Sequence, residues 1–313
     1  MQLKRGDYFL GRGILVLLLN MTPVAPLAIA QRRTPPDVAS FRADCKLVLV
    51  PVMVLDRRGA TVNGLASGAF TLTENGVRQQ IRSFGQDDGP VSLGIVLDLS
   101  GSMKSVLTSA KESFRALMEE ANPEDEAFLR TVSTRPGPSS GFIQNFGELV
   151  NSIAFEKASG ATALIDTVYD SLREIRSGVH PRKALLVISD GVDNNSRHSR
   201  QELMRFAEEA DTQVYAVAVS GAAPYAKAIE RTEEARGLVL LDDLADRTGG
   251  LRVTVRDAAD VEHAVARIGR ALRNQYTLGY LPEGDGGGRW RKIRVTVAGS
   301  GMKAYSRGGY RVD

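Results

Sequence analysis

Apolar residues along this chain change their spacing twice. From Leu47 to Leu55 they form an extended run, and from Phe70 to Phe84 they alternate with polar residues. From Val91 to Leu272, compact apolar runs trade places with stretches in which apolar residues recur every three or four positions. Past Asn274 the alternation returns. Period two marks strands with one buried face, continuous runs mark strands buried on both faces, and the three-and-four spacing marks helices. The order therefore predicts a small β unit over 45–88, a Rossmann-like α/β domain over 89–274, and a C-terminal β segment over 275–313. The α/β domain should have a mostly parallel sheet with helices on both faces.

Within the first β unit, Phe70-Thr71-Leu72-Thr73 and Val77 to Phe84 flank Glu74-Asn75-Gly76. Asn-Gly between two alternating runs predicts a hairpin. Pro51 cannot donate to a ladder, so its strand should lie at an edge or carry a bulge there. The tail offers Tyr276 to Leu281, a glycine-rich turn at 284–288, Trp290 to Val297, and one more strand within 303–312. It is too short for a core of its own. It is expected to pair with 45–88, so that one β-sandwich-like unit is built from both ends of the chain. Tyr276, Tyr280, Trp290 and Tyr310 read as core residues of this unit, with a sugar-binding platform as the alternative.

In the central domain the pattern predicts strands at 91–97, 126–132, 140–146, 184–189, 213–219 and 251–255. Helices are predicted at 103–121, 147–155, 163–176, 199–210 and 261–272. Residues 221–238 read as an insertion, helical around 223–236. A separate short helix, 241–247, is expected to stop at Gly249-Gly250.

The first buried strand ends abruptly in Asp98-Leu99-Ser100-Gly101-Ser102. One carboxylate and two hydroxyls on alternate residues of a tight loop form a hard, all-oxygen set. That set suits Mg²⁺, Mn²⁺ or Ca²⁺ and does not suit zinc. The plainer reading of this loop alone is a helix N-cap. Two further pieces bear on the choice: Ser159-Gly160-Ala161-Thr162 opening a helix, and Leu185 to Ser189 running into Asp190-Gly191.

Together the three pieces resemble the metal-ion-dependent adhesion site (MIDAS) of von Willebrand factor type A (VWA) domains. The resemblance implies a divalent cation, Mg²⁺ or possibly Mn²⁺ or Ca²⁺, held by Asp98, Ser100, Ser102, Thr162 and Asp190. It also implies a binding or adhesion function in which the cation takes an acidic group from a partner protein. The wider layout is similar to a group of secreted bacterial proteins in which such a domain sits between β segments. That second likeness rests on Val54-Leu55-Asp56-Arg57-Arg58-Gly59, Phe70 to Gly76, Gln275 to Tyr280 and Arg291-Lys292-Ile293. Asp193 is open to two readings, a group supporting the site or a solvated loop residue.

Other chemistries find less support. His180, His198 and His263 are far apart and stand in no zinc spacing. Ser100 lacks a nearby base and a nucleophile-elbow motif. A Mg²⁺-dependent phosphatase of the haloacid dehalogenase type would need a second Asp where Ser100 stands. The chain is therefore expected not to be an enzyme; the alternatives are a scaffold with a stabilising or vestigial metal site and, with less support, such a phosphatase.

Composition adds the compartment. Lys4 and Arg5 precede an apolar stretch from Gly13 to Leu19, and Ala28-Ile29-Ala30 has the small-x-small pattern of a cleavage site. This predicts a signal peptide over 1–30, cut after Ala30, with an uncleaved anchor as the alternative, a flexible lead-in over 31–44, and a secreted or periplasmic protein. No later stretch is long and apolar enough to span a bilayer. The formal charge of +3, for a chain that is 25% charged, gives no reason to expect nucleic acid. Cys45 is the single cysteine and cannot form an internal disulfide.

Overall fold

The computed structural model describes residues 47–86, 88–153, 161–220, 228–257, 259–283 and 288–311. The signal peptide, lead-in, Cys45 and most of the glycine-rich turn lie outside these residues, as does the start of the 221–238 insertion.

The chain opens with strand β1 (Val48–Leu55), followed by β2 (Phe70–Glu74), β3 (Val77–Gln79) and β4 (Ser83–Gln86). The central domain begins at β5 (Val91–Asp98) and continues through α1 (Lys104–Glu119), β6 (Glu126–Val132), β7 (Pro136–Ser139) and α2 (Phe146–Ile153). Next come α3 (Leu164–Glu174), β8 (Arg182–Ser189), α4 (Arg200–Glu209) and β9 (Gln213–Val219). The domain closes with α5 (Ala228–Thr248), β10 (Arg252–Val255) and α6 (Asp260–Arg273). The tail supplies β11 (Gln275–Tyr280), β12 (Trp290–Val297), β13 (Lys303–Tyr305) and β14 (Gly309–Arg311).

Six strands form the central sheet in the order β10-β9-β8-β5-β6-β7. All neighbours are parallel except β6 and β7. All eight residues of β5 are buried, as expected for a strand covered on both faces. One face packs Leu93, Ile95 and Leu97 against Phe114 and Leu117 of α1, Leu149 of α2 and Ile268 of α6. The other packs Val96, Leu185 and Val187 against Val168 of α3, Leu203 of α4 and Leu241 of α5. This is the doubly wound arrangement that the alternating pattern predicts.

Both ends of the chain meet in the remaining two sheets, ordered β13-β1-β11-β4 and β14-β12-β2-β3. The first pairs Val48 with Tyr280 and Met53 with Gln275; the second pairs Leu72 with Val295. Between them lies one core of Val50, Val52, Val54, Phe70, Leu72, Tyr276, Leu278, Tyr280, Ile293 and Val295. The outer side of the first sheet places Met53 and Leu55 in the same core as α6. Gln275 reaches Tyr215 Oη at 2.7 Å, and the Gly308 N–H donates to Arg247 O.

Several boundaries differ from the pattern. Val77 to Phe84 is not one strand: it breaks after Gln79, and β4 crosses to the other sheet beside β11. The expected strand at 303–312 likewise divides into β13 and β14, one in each sheet. The strand placed at 140–146 forms instead at Pro136–Ser139, an antiparallel edge where prolines are tolerated. Residues 228–248 are one helix, not an insertion followed by a short helix. Pro51 lies where β1 has β11 as a partner but extends past β13, which meets only Met53–Leu55. Tyr276 and Tyr280 are fully buried, whereas Trp290 is 37% exposed.

Glu74, read from the sequence as a turn residue, is buried in the sandwich. It accepts hydrogen bonds from Tyr280 Oη at 2.5 Å and Tyr310 Oη at 3.1 Å, and pairs with the buried Arg291 guanidinium. Breaking a buried pair strands the surviving charge, whereas replacing both members with apolar groups is far milder. Glu74→Ala should therefore lose about 3–5 kcal/mol in denaturant unfolding. The double variant Glu74→Leu/Arg291→Met should recover most of that loss.

Candidate metal centre

The chain leaves β5 towards α1 on one face and leaves the neighbouring β8 towards α4 on the other. Outgoing connections that part in this way open a crevice at the carboxyl ends of the two strands. Asp98 ends β5, and Asp190 follows Ser189 at the end of β8. Register carries the pairing to Leu97↔Ile188, so Asp98 emerges level with Ser189 and Asp190 follows one residue beyond.

Asp98 is 1% exposed. Its Oδ1 accepts the Ser100 N–H at 2.8 Å, and its Oδ2 accepts Ser189 Oγ at 2.6 Å. Ser189 Oγ in turn accepts the Gly191 N–H at 2.9 Å, while Asp190 Oδ1 accepts the Val192 N–H at 3.0 Å. One serine hydroxyl thus links the Asp98 carboxylate to the backbone that carries Asp190. Sequence reasoning missed Ser189, although it stands in plain view between the strand and Asp190.

Thr162 is buried just ahead of α3 and is stitched to the same edge. Its N–H donates to Asn194 Oδ1 at 2.8 Å, and its carbonyl accepts the N–H groups of Asn194 and Asn195. The Ala163 N–H donates to Ser133 O just past β6, and the Leu99 N–H to Val132 O. Asp98, Ser100, Thr162 and Asp190 therefore gather on loops at one end of the sheet. Gly101–Met103 forms a 3-10 turn; the Ser102 side chain lies outside the described residues. The cap position of α1 is Met103 and that of α3 is Ala163, and neither makes a side-chain cap hydrogen bond.

Asp193 is a fastening of the loop after β8. Its Oδ1 accepts the Ile165 N–H at 3.0 Å and Ser196 Oγ at 2.5 Å. Asp166 holds the far end of that loop, accepting the N–H groups of Arg197 and His198 at 2.9 Å each. His198 Nδ1 lies 2.7 Å from Asp166, and its ring stacks on Tyr169. Burial pushes the Asp166 pKa up, but the backbone hydrogen bonds from His198 and Arg197 outweigh it and hold the carboxyl below its ordinary value. His180 is similarly satisfied, with Nε2 at 2.8 Å from Glu124 O.

Among the described residues no group of three or more His, Cys, Asp or Glu is placed to hold a metal. The gathered donors are of another kind: two carboxylates and buried hydroxyls. Their electrostatics fit a cation. The Asp98 pKa is raised from 3.8 to about 6, chiefly by burial and also by the neighbouring Asp190 charge, against hydrogen bonds from Ser189 and Ser100 that lower it. Two carboxylates held together away from water carry an unfavourable energy that a bound divalent ion relieves.

No family model matches the chain, and no curated protein matches it. Among solved structures, the chain is similar to the conserved hypothetical protein BatB from Bacteroides thetaiotaomicron. The two are 18% identical over 58% of this chain and 98% of that one, with a TM-score of 0.45. It is similar to a von Willebrand factor type A protein from Catenulispora acidiphila at 11% identity, over 87% of this chain and 74% of that one, TM-score 0.47. A third likeness is to the PilB minor pilin from Streptococcus sanguinis, 14% identical over 60% and 62% of the two chains, TM-score 0.46. The fold assignment rests on this chain's own strand order and loop motifs.

A raised carboxyl pKa means that the folded, metal-free protein binds a proton more tightly than the unfolded chain. Ionised Asp98 therefore costs stability, in full above about pH 6, and the cost fades as pH falls towards 4. Asp98→Asn should stabilise the metal-free protein at pH 7.5 by about 2–3 kcal/mol. The advantage should vanish near pH 4, and denaturant unfolding at both pH values in chelator checks it.

Proposed function

From the von Willebrand factor type A fold of the central domain, we propose that this protein is a divalent-cation-dependent binding module. The observation that carries the reading is the pair Asp98 and Asp190, joined through Ser189 at the sheet's crevice, with the hydroxyl residues Ser100 and Thr162 on the same edge. Ser102 completes the hydroxyl set by its place in the motif. The cation is Mg²⁺ or a hard ion of similar preference, Mn²⁺ or Ca²⁺.

Asp98 and Asp190 supply the charge, while Ser100, Ser102 and Thr162 offer neutral oxygens. Hydroxyls donate weakly, so the residues leave a bound ion electrophilic towards one more oxygen. The chemistry supplied is attraction for an anionic ligand, and a carboxylate of a partner protein matches it. In this reading the chain's own residues hold and orient the ion, and the module performs no reaction on its ligand. An extracytoplasmic setting follows from the Lys4-Arg5 charge, the apolar Gly13–Leu19 stretch and the Ala28-Ile29-Ala30 pattern. Among the described residues no helix is long and apolar enough to cross a membrane.

A second reading, a cation that only braces the loops, is favoured by the hydrogen bonds that already engage both oxygens of Asp98. The two part company on partner binding.

Calorimetric titration with Mg²⁺, Mn²⁺ and Ca²⁺ should show saturable binding to the wild type, lost by at least tenfold in Asp190→Ala and Thr162→Ala. No saturable binding to the wild type overturns the reading. Chelator-sensitive capture of an acidic partner, absent in Asp190→Ala, separates the binding module from the braced scaffold.

A further inference from the structure

Helix α5 runs back from the carboxyl edge of the sheet along the face it shares with α3 and α4. Where it passes the loop after β8, two glycines meet. A Cβ built on Gly237 would lie 2.4 Å from the carbonyl carbon of Gly191, and a Cβ on Gly191 would lie 2.4 Å from that of Gly237. Gly191 also has a φ of 79°, a conformation that residues with a Cβ adopt at a cost. The two backbones are thus in direct contact one residue beyond Asp190, and no side chain intervenes to absorb a displacement.

Gly237 is buried in a helix that is otherwise exposed up to that point. The described side chains from Ala228 to Arg236 face solvent, Glu234 being half-buried, and Ile229 is 67% exposed. After Gly237 the helix enters the core through Leu240, Leu241 and Leu244. Nine residues at 1.5 Å each carry the helix about 14 Å beyond the level of Gly191. Glycine inside a helix costs about 1 kcal/mol relative to alanine, and the contact with Gly191 is what a larger residue could not make.

The geometry points to Gly237 as the positioning residue of the metal centre: by seating α5 on Gly191 it sets where the Asp190 carboxylate stands, and it raises the exposed first turns of α5 as a wall beside that edge. This rests on the metal-binding reading above. Gly237 would touch neither ion nor ligand. It acts through the Gly191 backbone, whose N–H is bonded to Ser189 Oγ, the same hydroxyl that holds Asp98.

The test uses the full chain and Mg²⁺ alone, titrated calorimetrically at a temperature where every variant is fully folded. Gly237→Ala is compared with Gly250→Ala, where the added methyl would meet Val214 O at 2.0 Å beyond the other end of α5. A purely structural role would lower Tm in either variant and leave the Mg²⁺ affinity alone. The expected result is at least a tenfold weaker affinity in Gly237→Ala and an unchanged affinity in Gly250→Ala. Wild-type affinity in Gly237→Ala, or equal losses in both variants, would overturn the assignment. Absence of binding to the wild type would sink the metal-binding reading itself and this one with it, a distinguishable outcome. Should Gly237→Ala fail to fold, coupling is reciprocal: Mg²⁺ must then slow amide hydrogen exchange in wild-type α5 around Gly237 to Leu241. Protection confined to the loops carrying Asp98, Thr162 and Asp190 would refute the coupling.

Discussion

Two adjacent strands whose chains depart on opposite faces are the constraint on which the candidate site depends. Because β5 feeds α1 on one side and β8 feeds α4 on the other, the two connections part and leave a crevice between the strand ends. Asp98 and Asp190 are thereby held close together in a place too buried to hydrate either fully. Placing the same carboxylates on one helix face would cost little and would also attract a cation weakly. Here the fold supplies the desolvation, and the sheet register supplies the spacing.

Holding that pair requires fastening on every side, and the loops show it. The loop after β8 is tied to α3 through Asp193, Asn194, Ser196 and Asp166, and to α5 through backbone contact at Gly191. Ser189 joins it to Asp98. The donors of these ties are mostly main-chain N–H groups, which cannot choose another rotamer. The carboxylate pair thus leans on groups whose positions are already set by the strands and helices that carry them, in a chain whose stability is marginal.

Legibility in the sequence follows the range of the interaction that decides each element. The runs at Val91–Asp98 and Gln213–Val219 are buried on both sides, so composition alone identifies them. Ser199 and Glu202 form a capping box that marks the start of α4 within four residues of sequence. Asp98, Ser100, Thr162 and Asp190 were visible because each stands where a strand ends or a helix begins. The failures are all long-range. Gly237 looks like a helix break, yet it is a packing requirement set by Gly191, 46 positions earlier in the chain. Pro136-Gly-Pro-Ser139 has no strand propensity and is recruited by the open edge of β6. Glu74 looks like part of a polar turn until Arg291 and Tyr280 arrive from the other end of the chain. The splitting of 77–84 and 303–312 has the same origin: a sandwich needs strands that change sheets, and periodicity carries no mark of which sheet a strand joins.

The sandwich also explains why the site's edge is left to loops. Among its contacts with the central domain, Gln275 meets Gln213 and Tyr215 at the start of β9 and Arg307 pairs with Asp211, at the opposite end of the sheet. A partner approaching the carboxyl edge would meet the loop after β5, the start of α3, the loop after β8 and the exposed turns of α5. Only the first three carry the proposed donors. The fourth carries exposed surface, Ile229 and Arg236 among it. On the proposed reading, the oxygen donors and the exposed turns of α5 beside them belong to different segments, which meet where Gly191 touches Gly237.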